Sequence, residues 1–251
     1  MANSAHYPWM DEMIQQEPFP DTGKVTTAVV TGEHPFNVTG FHNMFRSLPE
    51  VDYYPQQLED YVVDVAKVRT RYDVVLFFNF HLDTPPANER GWWWLGRTKE
   101  ALEELGETEK GIVMLHHARG AFPGWEFWSE VVGIHHSDRM YTLDELGDAL
   151  SFGEMLHIDI ADPQHPITRG LSAWDMYGET WDFGGTKPGP DCHTILVTDH
   201  PKMRMKAMAW VHQFKKACVF CLQPGHNNDS YADPSFRTVL SRGIQWVARR
   251  L

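Results

Sequence analysis

Residues 72–80 read YDVVLFFNF, apolar at nearly every position, with Asn79 next to its end. A strand apolar on both sides has to be covered on both faces, which is the situation of a parallel sheet with helices on either side. Runs of the same kind lie around it. Val25–Thr31 (VTTAVVT) is expected to be a buried strand ending at Gly32, Val51–Tyr54 a second, and Gly111–Leu115 (GIVML) a fourth. Between them, Phe41, Met44, Phe45 and Leu48 follow the spacing of a short amphipathic helix. Arg97–Leu105 (RTKEALEEL) is built of strong helix formers, with Gly106 placed to stop it.

In the second half, Phe127, Val131 and Val132 suggest one more helical face. Met155–Ile160, Thr194–Thr198, Ala207–Val211 and Cys218–Leu222 then read as strands. The closing helix is signalled by Asp233 as cap and Pro234 at its first position, with Phe236, Val239, Leu240, Ile244 and Val247 on one face. Alternating elements followed by crowded strands predict an α/β domain. Its sheet is mainly parallel and flanked by helices, with an antiparallel extension in the second half. Residues 1–23 read as an irregular N-terminal arm and residues 24–251 as one domain, with no internal repeat or dividing linker.

Composition narrows the function classes. The 251 residues carry 22 Lys and Arg against 34 Asp and Glu, a net charge of −12 with histidine neutral. That balance argues against nucleic acid or an anionic membrane as partner, since both reward clustered cations. No run reaches the length of a membrane span, and MANSAHYPWMDEMIQQ has neither a basic nor an apolar leader segment, so a cytoplasmic location is expected. Cys218 and Cys221 match C-x-x-C, yet inside the strand ACVFCL they face opposite sides and are expected to be core residues, as is usual for free cysteine.

Ligands of open α/β sheets bind beyond the carboxyl ends of the strands, so the residues just past each strand matter most. Four ends carry His or Asn: Gly32-Glu33-His34-Pro35, Asn79-Phe80-His81, His116-His117-Ala118-Arg119-Gly120, and Gln223-Pro224-Gly225-His226-Asn227-Asn228. Each alone is explained by a bond to a neighbouring carbonyl; together they predict a convergent cluster. Imidazole there serves as general acid or base, or as metal ligand. His165, between Pro163 and Pro166, fits a rigid turn, and His135-His136 lies beyond a helix. Glu179, among aromatic residues, is a candidate proton acceptor or sugar-hydroxyl binder. No P-loop, no G-x-G-x-x-G, no G-x-S-x-G elbow and no His-Glu-x-x-His occurs, so a nucleotide cofactor and serine acyl transfer are not expected. The ten tryptophans, among them Trp125, Trp128 and the triplet Trp92-Trp93-Trp94, suit sugar stacking, although most should be core or interface.

The segments VVTGEHPF, YDVVLFFNF, GIVMLHHA with PGW beyond it, DPQHPITRGL, GETW, Ala209-Trp210, Gly225-His226 and SFRTVLSRGIQWVA together resemble the ThuA-like (trehalose-utilisation) family from about Val25 to Arg249. The resemblance implies a flavodoxin-like fold similar to the class I glutamine amidotransferases. The nucleophilic Cys of those enzymes is replaced here by His116 and His117, so amide transfer is not implied. It further implies a role in catabolism of trehalose-related disaccharides through keto sugars. His116, Glu179 and His226 are then the catalytic candidates. His34, Asn79, His117, Trp125 and Trp181 are the substrate-binding ones, and His116 and His226 candidate ligands for zinc, iron or manganese. Gly178 and Trp181 depart from the family's Asp-Glu-x-Tyr. The expected partner is a small saccharide, acted on by acid/base or metal-assisted chemistry. A noncatalytic sugar-binding protein and a metal-dependent hydrolase of another substrate are the alternatives. Exposed aromatics favour a homo-oligomer.

Overall fold

A computed structural model describes residues 19–63, 65–86, 98–139, 150–181 and 187–251. The chain runs β1 (Val25–Gly32), α1 (Val38–Arg46), β2 (Val51–Gln57), α2 (Leu58–Val63), a 3-10 turn (Val65–Arg71), β3 (Val74–Asn79), α3 (Thr98–Glu103) and β4 (Gly111–Leu115). A second 3-10 turn (His116–Gly120) leads to α4 (Glu126–Val132), α5 (His136–Arg139), β5 (Leu150–Ile160) and β6 (Trp174–Trp181). Then come β7 (His193–Val197), β8 (Ala207–Phe214), β9 (Ala217–Leu222), α6 (Asn228–Ala232) and α7 (Pro234–Val247).

The described strands form one nine-stranded sheet in the order β2-β1-β3-β4-β9-β8-β7-β5-β6. The first five in that order are mutually parallel and the rest pair antiparallel. This is the α/β, flavodoxin-like arrangement the sequence predicts, antiparallel extension included. The period of two along each buried strand explains why both faces are covered. Val29, Leu76, Val113 and Phe220 pack with α1 and α7, whereas Val30, Phe77, Ile112 and Val219 pack with Leu58, Leu102, Trp128 and Val132 on the other side. Cys221 belongs to the second core and Cys218 leans on the first, so the two sulfurs do take opposite faces.

Several bounds differ from expectation, each for a local reason. β2 continues through Pro55 to Gln57, which an edge strand tolerates because one row of its amides bonds no neighbour. α2 has six residues, too few to show a helical period. β6 carries no clear strand period in its sequence, because Trp174 and Met176 pack inward while exposed Tyr177 masks the alternation. Trp92-Trp93-Trp94 and Arg97 lie outside the described residues. Among those described, no helix is long and apolar enough to cross a membrane.

α7 fixes β9, and thereby the loop beyond it, through a close approach. The Asp233 carboxylate accepts the Phe236 amide as N-cap, with Pro234 at the first turn. A Cβ on Gly243 would lie 2.1 Å from Cε1 of the fully buried Phe220. Gly243→Ala is therefore expected to lower stability by about 1–2 kcal/mol, since overpacking outweighs the gain in helix propensity of about 1 kcal/mol. A denaturant melt in which this variant matched or exceeded the parent would contradict the packing described.

Candidate metal centre

The carboxyl ends of β1, β4 and β9 lie side by side or one strand apart, and each delivers histidine to the same space. His34 lies two residues past β1. His116 and His117 open the 3-10 turn directly after β4. His226 sits four residues beyond β9, after Gly225. Gly225 has φ +126, and a Cβ there would lie 3.1–3.2 Å from Phe236 and Leu115, so glycine lets this loop close over the strand ends. His116 has φ +56, in the left-handed region that β-carbon sterics disfavour. That backbone reversal is what allows two adjacent histidines to serve one site. Neighbours on a strand would point apart.

The geometry is tight. His116 Nε2 lies 2.8 Å from His226 Nδ1, and His117 Nε2 lies 3.2 Å from the same atom. The His34 ring sits 4.3 Å from that of His117, centroid to centroid. One ring nitrogen from each of the four falls within 4.8 Å of the others. His116 Nδ1 is 2.9 Å from the Gln223 carbonyl. A carbonyl only accepts, so Nδ1 carries the proton and Nε2 turns its lone pair to the shared space. His34 Nδ1 is buried and has no hydrogen-bond partner among the described residues.

Burial is the main electrostatic force on the cluster. It lowers His34 to about 4, helped by the neighbouring His226, and pushes His116 and His117 well below the ordinary imidazole range. The other rings, and the Arg119 charge, push His116 and His117 the same way. His226 is lowered by burial alone. Four neutral imidazoles whose ring nitrogens converge are a donor set for a borderline transition metal once His226 Nδ1 gives up the proton it shares with His116 Nε2, and among the described residues no carboxylate joins them.

The remaining candidates are distributed as follows. Asn79, at the end of β3, is fully buried and its amide nitrogen reaches His81 Nδ1 at 3.1 Å. Trp125 packs with Phe122, Phe127 and Trp128 in the core beside α4. Glu179 lies in β6, whose backbone pairs Thr180 with Ser151 and Trp181 with Leu150; the side chains of Glu179 and Trp181 are outside the described residues. His165 is held in a turn, its Nδ1 accepting the Ile167 amide while Asp162 accepts those of Gln164 and His165. The sequence marks His81 as a strand-end residue without giving it a site role. It also sets His117 apart from the ligand pair that it joins here. The missing signal is the left-handed turn at His116.

A family model described as ThuA, trehalose utilisation, matches residues 56–247, a stretch that holds three of the four histidines. Solved structures share the fold. A ThuA-like protein of Parabacteroides merdae is 18% identical over 90% of each chain with a TM-score of 0.65. A cytoplasmic protein from Salmonella typhimurium is 14% identical, covering 88% of this chain and 98% of its own, at 0.53. A GMP synthase protein from Thermoplasma acidophilum is 11% identical, with 90% and 95% covered, at 0.52. No curated protein sequence matches the chain.

Proposed function

Since the chain belongs to the ThuA trehalose-utilisation family, which ties it to carbohydrate metabolism, we propose that it is a metal-dependent enzyme acting on a keto sugar or keto-glycoside. The observation that carries this reading is the convergence of His34, His116, His117 and His226 ring nitrogens within 4.8 Å. The residues fit a metal on two counts. Their rings are held neutral by burial, the form that ligates. The His116 Nδ1–H bond to Gln223 is the outer-shell contact that fixes a ligating histidine's tautomer. An all-imidazole set favours zinc or iron over manganese, which prefers oxygen ligands.

A bound divalent ion would supply Lewis-acid polarisation of a carbonyl oxygen, the electrophile that elimination or isomerisation next to a ketone requires. The chain's own part is to hold that site dry and rigid. His116 and His117 are only 3% exposed, while His34 and His226 are half-buried, and His226 lines a cleft of about 400 Å³ together with Pro35, Phe36, Asn37 and Asn227–Asp229. With the cluster committed to ligation, saccharide contacts fall to the loops around it.

Elemental analysis of tag-free protein purified without chelator is expected to find a stoichiometric transition metal. Mass spectrometry of a methyl 3-keto-glucoside incubated with that protein is expected to show a new product. Protein free of metal, and with no affinity for added zinc or iron(II), would overturn the metal reading. A keto-glycoside bound but recovered unchanged would make the chain a sugar-binding protein instead.

A further inference from the structure

The cleft beside the four-histidine centre shares a wall with it, because His226 both lines the cleft and brings a ring nitrogen to the cluster. A second link is aromatic. Phe36, half-buried, lines the same cleft and packs its ring 4.6 Å from that of Phe41 and, edge-on, 5.6 Å from that of Phe78. Phe78 in turn meets the His34 ring at 5.1 Å and the His116 ring at 6.3 Å. The ring that borders the cleft therefore belongs to the same packed aromatic group as the histidines.

The polar groups of the cleft are held in place. Asn37 caps α1, its side-chain oxygen accepting the Gly40 amide at 2.8 Å. A backbone amide only donates, so the oxygen is fixed as the acceptor and Nδ2 is left as a donor, with no partner among the described residues. Gly40 has no positive φ to require glycine, and alanine would suit a helix better. A Cβ there would lie 1.9 Å from Asn228 Oδ1, so the glycine makes room for the Asn228 amide against α1. Asp229 is exposed, and among the described residues its carboxylate makes no hydrogen bond or ion pair. An apolar ring with an amide donor, a second amide and a carboxylate around it suits the C–H face and hydroxyls of a saccharide. No Lys or Arg is among the described residues that line the cleft. A phosphate on the ligand would meet Asp229 with no cation to offset the repulsion.

We propose that this cleft binds the hydroxyl-bearing part of an uncharged keto sugar, its carbonyl turned to the His226 side, and selects against the phosphorylated sugar. Phe36 is the surface on which the sugar ring packs, Asn37 Nδ2 donates to a hydroxyl, and Asp229 accepts from one while repelling anions. This rests on the function proposed above and narrows its substrate class to unphosphorylated saccharides.

In calorimetric titrations of the parent protein, methyl 3-keto-glucoside is expected to bind at least about tenfold more tightly than its 6-phosphate. Asn37→Ser keeps a good helix cap but withdraws the amide donor, and should weaken the neutral sugar about tenfold. Phe36→Leu keeps the apolar volume without the aromatic face, and should weaken it about fivefold. Asp229→Asn should narrow the gap between the two sugars, and metal content should match the parent in all three variants. Parent-like affinity for the neutral sugar in both Asn37→Ser and Phe36→Leu overturns the subsite and leaves the function proposed above standing. A 6-phosphate bound as tightly as the neutral sugar overturns the selectivity. Parent protein that takes up neither metal nor either sugar overturns the subsite and the function together.

Discussion

His116→Asn is expected to lose metal affinity by at least about two orders of magnitude while leaving the fold intact. Binding energies for four-ligand structural zinc sites run to about 10–16 kcal/mol, so one ligand's share is about 3 kcal/mol, or about a hundredfold. Asparagine is the informative choice because His116 stands at φ +56. That conformation is uncommon for ordinary side chains but is tolerated by asparagine. The substitution therefore removes the imidazole without asking the strand-to-turn reversal to change. A residue kept in a disfavoured backbone region, with its ring turned onto the Gln223 carbonyl and the His226 ring, is the pattern of strain maintained by a site rather than by packing. His165→Ala, in the remote turn, is the control and should bind metal as the parent does. Equal metal content in His116→Asn and the parent, measured by elemental analysis after dialysis against a weak chelator, would remove His116 from the ligand set.

The fold was legible where burial is two-sided. VTTAVVT, YDVVLFFNF and GIVML could be read as parallel strands because nothing polar interrupts them, and Asp233-Pro234 announced the final helix. The half-exposed elements were not legible. WDMYGETW hides its period because Tyr177 stands on the solvent face, 55% exposed, where a polar residue would have revealed the alternation. The site was partly legible for a topological reason. Position just past a strand end singled out His34, Asn79, His116 and His226 from fourteen histidines and many asparagines, because parallel strands must deliver their ends to one edge. Sequence put His117 at this site as a substrate-binding residue and could not show it among the ligands, since that depends on one backbone angle at His116. Nor could it show that Asn79 bonds His81, because β3 ends at Asn79 and the strand's period of two no longer fixes the direction of the side chains beyond it.

Acid sensitivity of the metal-free protein offers the second large effect. Histidine in the unfolded chain titrates near 6.5, whereas in the folded chain His34 is held at about 4, and His116 and His117 well below their ordinary range. Between those values the unfolded state binds more protons than the native state, so unfolding free energy rises with pH and is lost as pH falls from about 6.5 toward 4. Counting only the two deeply buried rings, His116 and His117, the loss approaches about 2–3 kcal/mol per pH unit in that window. His157 works in the opposite sense. Its hydrogen bond to Asp175 raises its pKa, a contribution present at low pH and lost as pH rises, but the pair is exposed and screened by solvent. The buried rings should therefore dominate, and chemical melts of chelator-treated protein at pH 7.5, 6.5 and 5.5 should show falling stability. In His117→Phe, which removes one buried imidazole and keeps the volume aromatic, the slope should be shallower by about one proton. Saturating metal should raise stability throughout, because it binds the folded, already deprotonated rings in preference to the protonated unfolded chain. Stability that stayed flat from pH 7.5 to 5.5, in parent and variant alike, would mean that the four rings are not held neutral together, and the donor set would lose its physical basis.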